Sequence, residues 1–166
     1  MLRGQQRIGP IVIKNFAKRW LDIPPVWLLL AMFSVWIQGR FLPLGPGFSG
    51  RVPPGLIWIL WGCAGGLTLA AVLQMRKFRT TVHPHENATH LVTKGVFGLS
   101  RNPIYVSDVL LLLGVVAWVG SWGSFAIVAL FIWVLQHRFI RGEELRLMSQ
   151  FPDEWADYSK RTRRWM

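Results

Sequence analysis

Ile104-Tyr105-Val-Ser-Asp108-Val-Leu-Leu-Leu-Leu-Gly114-Val-Val-Ala-Trp118-Val119 runs into Gly120-Ser121, and a second apolar run follows from Trp122 to about Ile140. Two such runs parted by a dipeptide of breaker residues predict two helices joined by a tight hairpin, hence antiparallel neighbours. The polar flanks of the hairpin then meet at one end. Before it stands Leu91-Val92-Thr-Lys94-Gly95-Val-Phe97-Gly98-Leu-Ser-Arg101-Asn102-Pro103, and after it Arg138-Phe-Ile-Arg141-Gly-Glu143-Glu144. A turn-forming loop, an arginine and a pair of carboxylates are thereby predicted to share a site, for which the remaining chain is scaffold.

The composition sets the environment of that hairpin. The chain has 166 residues, 52% of them hydrophobic and 16% charged, with ten Trp and ten Phe. Its mean hydropathy is +0.33. A soluble domain of this size cannot hide that much apolar surface, so the expectation is a single integral membrane domain, all-α. The net charge of +11 lies between the apolar runs, where it orients the chain and binds anionic headgroups. That distribution argues against nucleic acid as a partner and for the lipid bilayer. Cys63, the single cysteine, sits in an apolar run and excludes an intrachain disulfide.

Two further apolar runs precede the hairpin. The first spans about 23–38 and opens with Pro24-Pro25, which suit a first helical turn. Residues 39–55 are rich in Gly and Pro and read as a loop. Leu56 to about Met75 is the clearest span, and its Gly62, Gly65 and Gly66 are expected to permit close helix approach. Residues 1–19 read as a juxtamembrane segment or interfacial helix, with no cleavable signal evident. The tail, 141–166, carries Phe151, Trp155 and Tyr158 at helical spacing between charges, which predicts an amphipathic helix lying on the membrane surface. With four spans and an inside N-terminus, 17 of the 19 Lys and Arg fall on one side, leaving Arg40 and Arg51 outside. Both termini and the 76–103 segment are therefore expected to be cytoplasmic.

The loop has chemistry of its own. Gly95 and Gly98 let backbone approach a ligand, and Asn102-Pro103 reads as a side-chain cap and a first-turn proline. Free N–H groups at a helix start attract an anion such as a carboxylate, and Arg101 adds a fixed charge. Glu143 and Glu144 would take an ammonium. A ligand bearing both groups fits between them; headgroup anchoring by Arg101 and a solvated glutamate face is the alternative.

The order Thr93-Lys94-Gly95-Val-Phe97, Arg101-Asn102-Pro103-Ile104-Tyr105, apolar hairpin, Glu143-Glu144, Phe151-Pro-Asp-Glu-Trp155-Ala-Asp-Tyr158 resembles the isoprenylcysteine carboxyl methyltransferase family and the related phospholipid methyltransferases. The resemblance covers about residues 80–166. It implies a membrane-embedded methyltransferase that uses S-adenosylmethionine and releases S-adenosylhomocysteine. It further implies that Leu91, Val92 and Phe97 line the cofactor and that Asn102, Pro103, Ile104 and Tyr105 continue its pocket, with Glu143 or Glu144 on the cofactor's α-amino group. The loop's own chemistry adds His90, Gly95 and Arg101 to that expected cofactor site. Two positions depart from the family: its common Arg-His-Pro is Arg101-Asn102-Pro103 here, and its usual loop tyrosine is Phe97. Asparagine donates a hydrogen bond but does not titrate near neutral pH, which removes any histidine acid–base role there.

Methyl transfer from a sulfonium needs proximity, alignment and a dry pocket more than a nucleophilic side chain. The acceptor is expected to be a lipophilic or lipidated molecule; carboxylate, thiol, amine headgroup and quinone-like lipids all stay open. For a carboxylate acceptor, Arg138 and Arg141 are the candidate catalytic cations, with membrane-edge anchoring as the alternative. Asp108, three residues past Tyr105 and on its face, could bind a substrate amine or act as a base; pairing with Arg101 or a place at headgroup level is the alternative. His83, His85 and His90 lack a clear fourth ligand, so no metal is assigned and loop contacts are expected instead. Two other classes compete with the methyltransferase: a membrane reductase using a nicotinamide cofactor, and a non-enzymatic transport or metal-resistance protein.

Overall fold

The computed structural model describes residues 22–42, 44, 45, 47, 48, 50–79 and 89–166. The N-terminal segment 1–19 and the histidines His83 and His85 lie outside them. The described chain is helical: α1 (Pro24–Phe41), α2 (Pro54–Lys77), a single turn α3 (Val96–Leu99), α4 (Pro103–Val119), α5 (Ser124–Val134), a π-helical turn (Leu135–Ile140), α6 (Arg141–Gln150) and α7 (Pro152–Arg161). Among the described residues, extended pairing is limited to one antiparallel bridge between Gly47 and Ser121.

Helix α4 sits at the centre and packs against α1, α2 and α5. The core gathers Leu28 and Val35 of α1, Leu112 and Val116 of α4, and Val128, Phe131, Leu135 and Phe139 of the last long helix. The residues on the other faces are apolar too. Leu29, Leu30, Phe33 and Trp36 of α1, Trp58, Ile59, Leu69 and Leu73 of α2, and Leu130 and Trp133 of α5 all point outward. A helix apolar on every side is at home in hydrocarbon rather than water. Two helices are long and apolar enough to cross a membrane, Pro54–Lys77 and the continuous Ser124–Gln150. The other two fall short for separate reasons: α1 spends positions on Pro24, Pro25, Gln38 and Arg40, and α4 has 17 residues.

The hairpin forms as the sequence predicts. Gly120 closes α4 in the left-handed region (φ 71°), where a side chain would be strained. The loop after α1 folds onto it: Phe48 N–H donates to Gly120 O (2.7 Å) and Gly123 N–H to Leu44 O (3.1 Å). Beneath, Gln38 donates to Ser121 Oγ (3.0 Å) and accepts from Ser124 Oγ (2.7 Å). At the opposite end Arg138 grips Asp22 with two donors, at 2.5 and 2.9 Å. The helices therefore alternate in direction, which puts Arg40 and Arg51 at one end and the polar loop and tail at the other.

Three expectations change. Gly62, Gly65 and Gly66 face open space, because α2 turns its alanines, Ala64 and Ala71, inward. The close approach on α2 happens at Gly114 instead, where an added Cβ would lie 2.2 Å from the Trp61 indole, which donates to Leu111 O (3.3 Å). Gly114→Val is expected to cost about 1–3 kcal/mol by overpacking, seen as a lower Tm in detergent. Gly66→Val, facing open space, should move Tm far less; equal shifts would refute this packing assignment. Secondly, the fourth apolar run does not end its helix at Ile140 but continues through the π turn to Gln150. Thirdly, α7 is amphipathic, yet Trp155 and Tyr158 are buried against protein (7% and 3% exposed) rather than laid on a membrane surface.

Candidate functional site

The polar stretches do meet, at the start of α4. Gly95 takes φ 61°, open to glycine, and turns the loop into α3. Gln74 of α2 donates to Lys94 O (2.6 Å), fixing the loop against the neighbouring helix. Arg101 then reaches Glu144 Oε1 (3.6 Å) and lies over the Trp155 ring at 5.4 Å. Its backbone N–H donates to Arg163 O (2.9 Å), and its Nε is buried without a hydrogen-bond partner among the described residues.

The two glutamates have separate partners. Glu143 Oε1 accepts from the Tyr105 hydroxyl at 2.7 Å, and Tyr105 stacks on Phe139. Arg146, three residues beyond Glu143, adds a positive charge that acts on both. Glu144 is held by Arg164 through Nε (3.1 and 3.0 Å) and Nη2, besides its contact with Arg101. That hydrogen bond raises the Arg164 pKa above its already high value, so its charge is permanent. Tyr158 donates to Phe97 O (2.7 Å), tying α7 to α3, and burial raises its phenol pKa.

Asn102 stands at the N-cap position of α4 but makes no cap hydrogen bond. Its side chain donates to Arg164 O (3.1 Å), beside a Ser100 hydroxyl that donates to the same carbonyl (3.1 Å). The cap expected from sequence, in which the amide oxygen accepts from a helix N–H, is not made; the amide nitrogen instead ties the helix start to the C-terminal segment. Val92 is buried, Leu91 and Phe97 are half-buried, and His90 is exposed. Pro103 and Ile104 form the first turn of α4.

The cations assigned to a carboxylate acceptor are not gathered here. Arg138 is committed to Asp22 and lies over the Trp27 ring at 5.3 Å. Arg141 is exposed, with no ion pair among the described residues. Asp108 is half-buried one turn above Tyr105, close enough for its charge to act on that phenol. It pairs with no described residue; Arg101, the partner offered as an alternative to a chemical role, goes to Glu144. Beside it Ser107 and Thr68 share a 2.5 Å hydrogen bond between α4 and α2. Among the described residues, no three His, Cys, Asp or Glu converge as metal ligands. Sequence reasoning passed over Arg164 and Arg146, and read Tyr158 as part of the tail's amphipathic face and motif rather than as a tie to the loop. The tail's run of basic residues was counted there as charge, with nothing to indicate which of them turns inward.

No solved structure matches the chain significantly. Among curated proteins it is 33% identical over 108 residues to a cobalt-zinc-cadmium resistance protein of Cupriavidus metallidurans, covering 65% of this chain and 45% of that protein. It is 31% identical over 108 residues to a nickel-cobalt-cadmium resistance protein of Alcaligenes xylosoxydans xylosoxydans, covering 65% and 46%. An uncharacterized protein of Haemophilus influenzae is 36% identical over 63 residues, 38% of this chain and the whole of that protein. The chain thus spans less than half the length of the two resistance proteins. A profile of the phospholipid methyltransferase family matches residues 55–154, which takes in α2, the polar loop, the hairpin and the glutamate pair. The chain belongs to the phospholipid methyltransferase family, whose members are membrane-integral methyltransferases.

Proposed function

We propose that the protein transfers a methyl group from S-adenosylmethionine to a lipophilic or membrane-presented acceptor. The observation that carries this reading is the buried Arg101 Nε, a donor with no partner among the described residues, at a helix start flanked by glutamates. A ligand with a carboxylate and an ammonium satisfies both sides: Arg101 and the uncapped first turn of α4 take the anion, Glu143 the cation. Glu144, already between two arginines, is the less available carboxylate. The residues present therefore fit the amino-acid end of the cofactor. Leu91, Val92, Gly95, Phe97 and Ile104 are the apolar and backbone surfaces left for its remainder, with His90 at the exposed rim and Asn102 and Pro103 shaping the helix start.

When bound, the cofactor supplies an electrophilic methyl on a sulfonium. What the protein adds is alignment and exclusion of water. Asp108, on the Tyr105 face and without an ion-pair or hydrogen-bond partner among the described residues, is the group to take a proton from the acceptor or to hold its amine. Arg141 is the cation available for an anionic acceptor, whereas Arg138 would first have to leave Asp22. The membrane plan completing this reading has four crossing helices (α1, α2, α4 and α5), with both termini and the site cytoplasmic. Supporting it, α1 and α4 are each about 26 Å long at 1.5 Å per residue, near the ~30 Å of a hydrocarbon core. The basic residues, too, concentrate at the site's end of the bundle.

Calorimetric titration of the detergent-purified, folded protein with S-adenosylhomocysteine tests the proposal. The expected result is micromolar-range binding, about −8 kcal/mol. No binding would overturn it. Non-enzymatic metal resistance is a second reading, favoured by the names of the two relatives, and it expects no binding in the same titration.

A further inference from the structure

The family profile ends at residue 154, yet the residues that complete the charged cluster lie beyond it. Residues 162–165 run back across the loop before α4 as a strap. Arg163 O accepts from the Arg101 backbone, Arg164 O accepts from Ser100 and Asn102, and the Arg164 guanidinium holds Glu144. Thr162 is buried and its N–H donates to Tyr158 O (3.0 Å), while Trp165 packs against the core and donates to Gln136 (3.4 Å). The strap is anchored on both sides of the cluster, which a loose tail would not be.

The charges say what this accomplishes. Glu144 alone would draw Arg101 into a full two-donor ion pair and turn its guanidinium away from a ligand. With Arg164 gripping the same carboxylate by Nε and Nη2, Arg101 is left at 3.6 Å through one Nη1, stacked on Trp155, its Nε unspent. Two guanidinium groups around one carboxylate also leave the cluster with an excess positive charge. We propose that Arg164 is a positioning residue of the cofactor site: by occupying Glu144 it leaves Arg101 free to bind the ligand's carboxylate. The inference rests on the cofactor reading above. It adds a wall, residues 162–165, and a division of labour in which Glu144 orients Arg101 and Glu143 meets the ammonium.

The test compares two ligands that differ in the amino-acid end. S-adenosylhomocysteine carries the carboxylate and the ammonium; 5′-methylthioadenosine carries neither. In Arg164→Gln, Arg101 is expected to collapse onto Glu144. Binding of S-adenosylhomocysteine should weaken about tenfold or more, as expected for a charge-assisted hydrogen bond, while 5′-methylthioadenosine binding stays within about twofold of wild type. Arg164→Lys, which keeps the charge, should recover part of the loss and guards against a glutamine variant that fails to fold. A parallel loss of both ligands, or unchanged binding of both in folded variants, overturns the proposal and makes the strap structural only. Failure of the wild-type protein to bind either ligand overturns the cofactor reading itself, and this inference with it.

Discussion

Glu143→Gln is expected to weaken S-adenosylhomocysteine binding by about tenfold to a hundredfold with little change in Tm. The glutamine keeps the shape of the side chain and an oxygen to accept from the Tyr105 hydroxyl, which now lies 2.7 Å from Glu143 Oε1. It loses the charge proposed to meet the ligand's ammonium. A hydrogen bond to a charged group in a water-poor site is worth about 1.5–3 kcal/mol, and each 1.4 kcal/mol is tenfold in affinity. Glu144→Gln should behave differently. It strips the partner from Arg164 and Arg101 together, leaving charge unpaired in a partly buried place, so stability falls along with binding. Calorimetry and a thermal melt on the two variants separate these outcomes. An unchanged affinity in Glu143→Gln would show that the ammonium is held elsewhere.

The second large effect concerns turnover. Asp108→Asn is expected to lower methyl transfer by about 10²–10⁴, the usual size of a lost acid–base group, while S-adenosylhomocysteine binding is retained. The substitution is nearly isosteric, and Asp108 makes no ion pair or hydrogen bond to a described residue, so little structure depends on its charge. A carboxylate on an apolar helix with no partner among the described residues is costly, and in a membrane-spanning helix a functional role is the default expectation for it. The measurement is transfer of labelled methyl to a total membrane lipid extract, with wild type and variant side by side. Equal rates would end any chemical role for Asp108 and leave it as a headgroup-level residue.

How far the site could be read in advance differs from residue to residue. Gly120-Ser121 fixed the hairpin, since two residues leave no room for another path, and the hairpin brought Arg101 and Glu144 to one end. The distinct roles of Glu143 and Glu144 were not legible. Adjacent residues on a helix point about 100° apart, and which direction meets Tyr105 and which meets Arg164 depends on the π turn at Leu135–Ile140 that resets the phase of α6. Asn102 keeps the chain position of a cap without the cap hydrogen bond, and its amide donates instead to the Arg164 carbonyl, 62 residues away. Arg138 was read with its near neighbours Arg141 and Glu143, but its partner is Asp22, 116 residues distant.

What could be read from the chain alone is local or averaged: apolar runs, breaker residues, the segregation of charge and the motif order that resembles the family. These follow from helix periodicity and transfer from water, which act within a few turns of chain. Long-range packing settled which charges pair, which glycine admits a neighbouring helix, and that the apolar side of α7 and the strap at 162–165 close over the cluster. Such choices are made between groups far apart in sequence. They depend on distances of a few ångströms that no local pattern encodes.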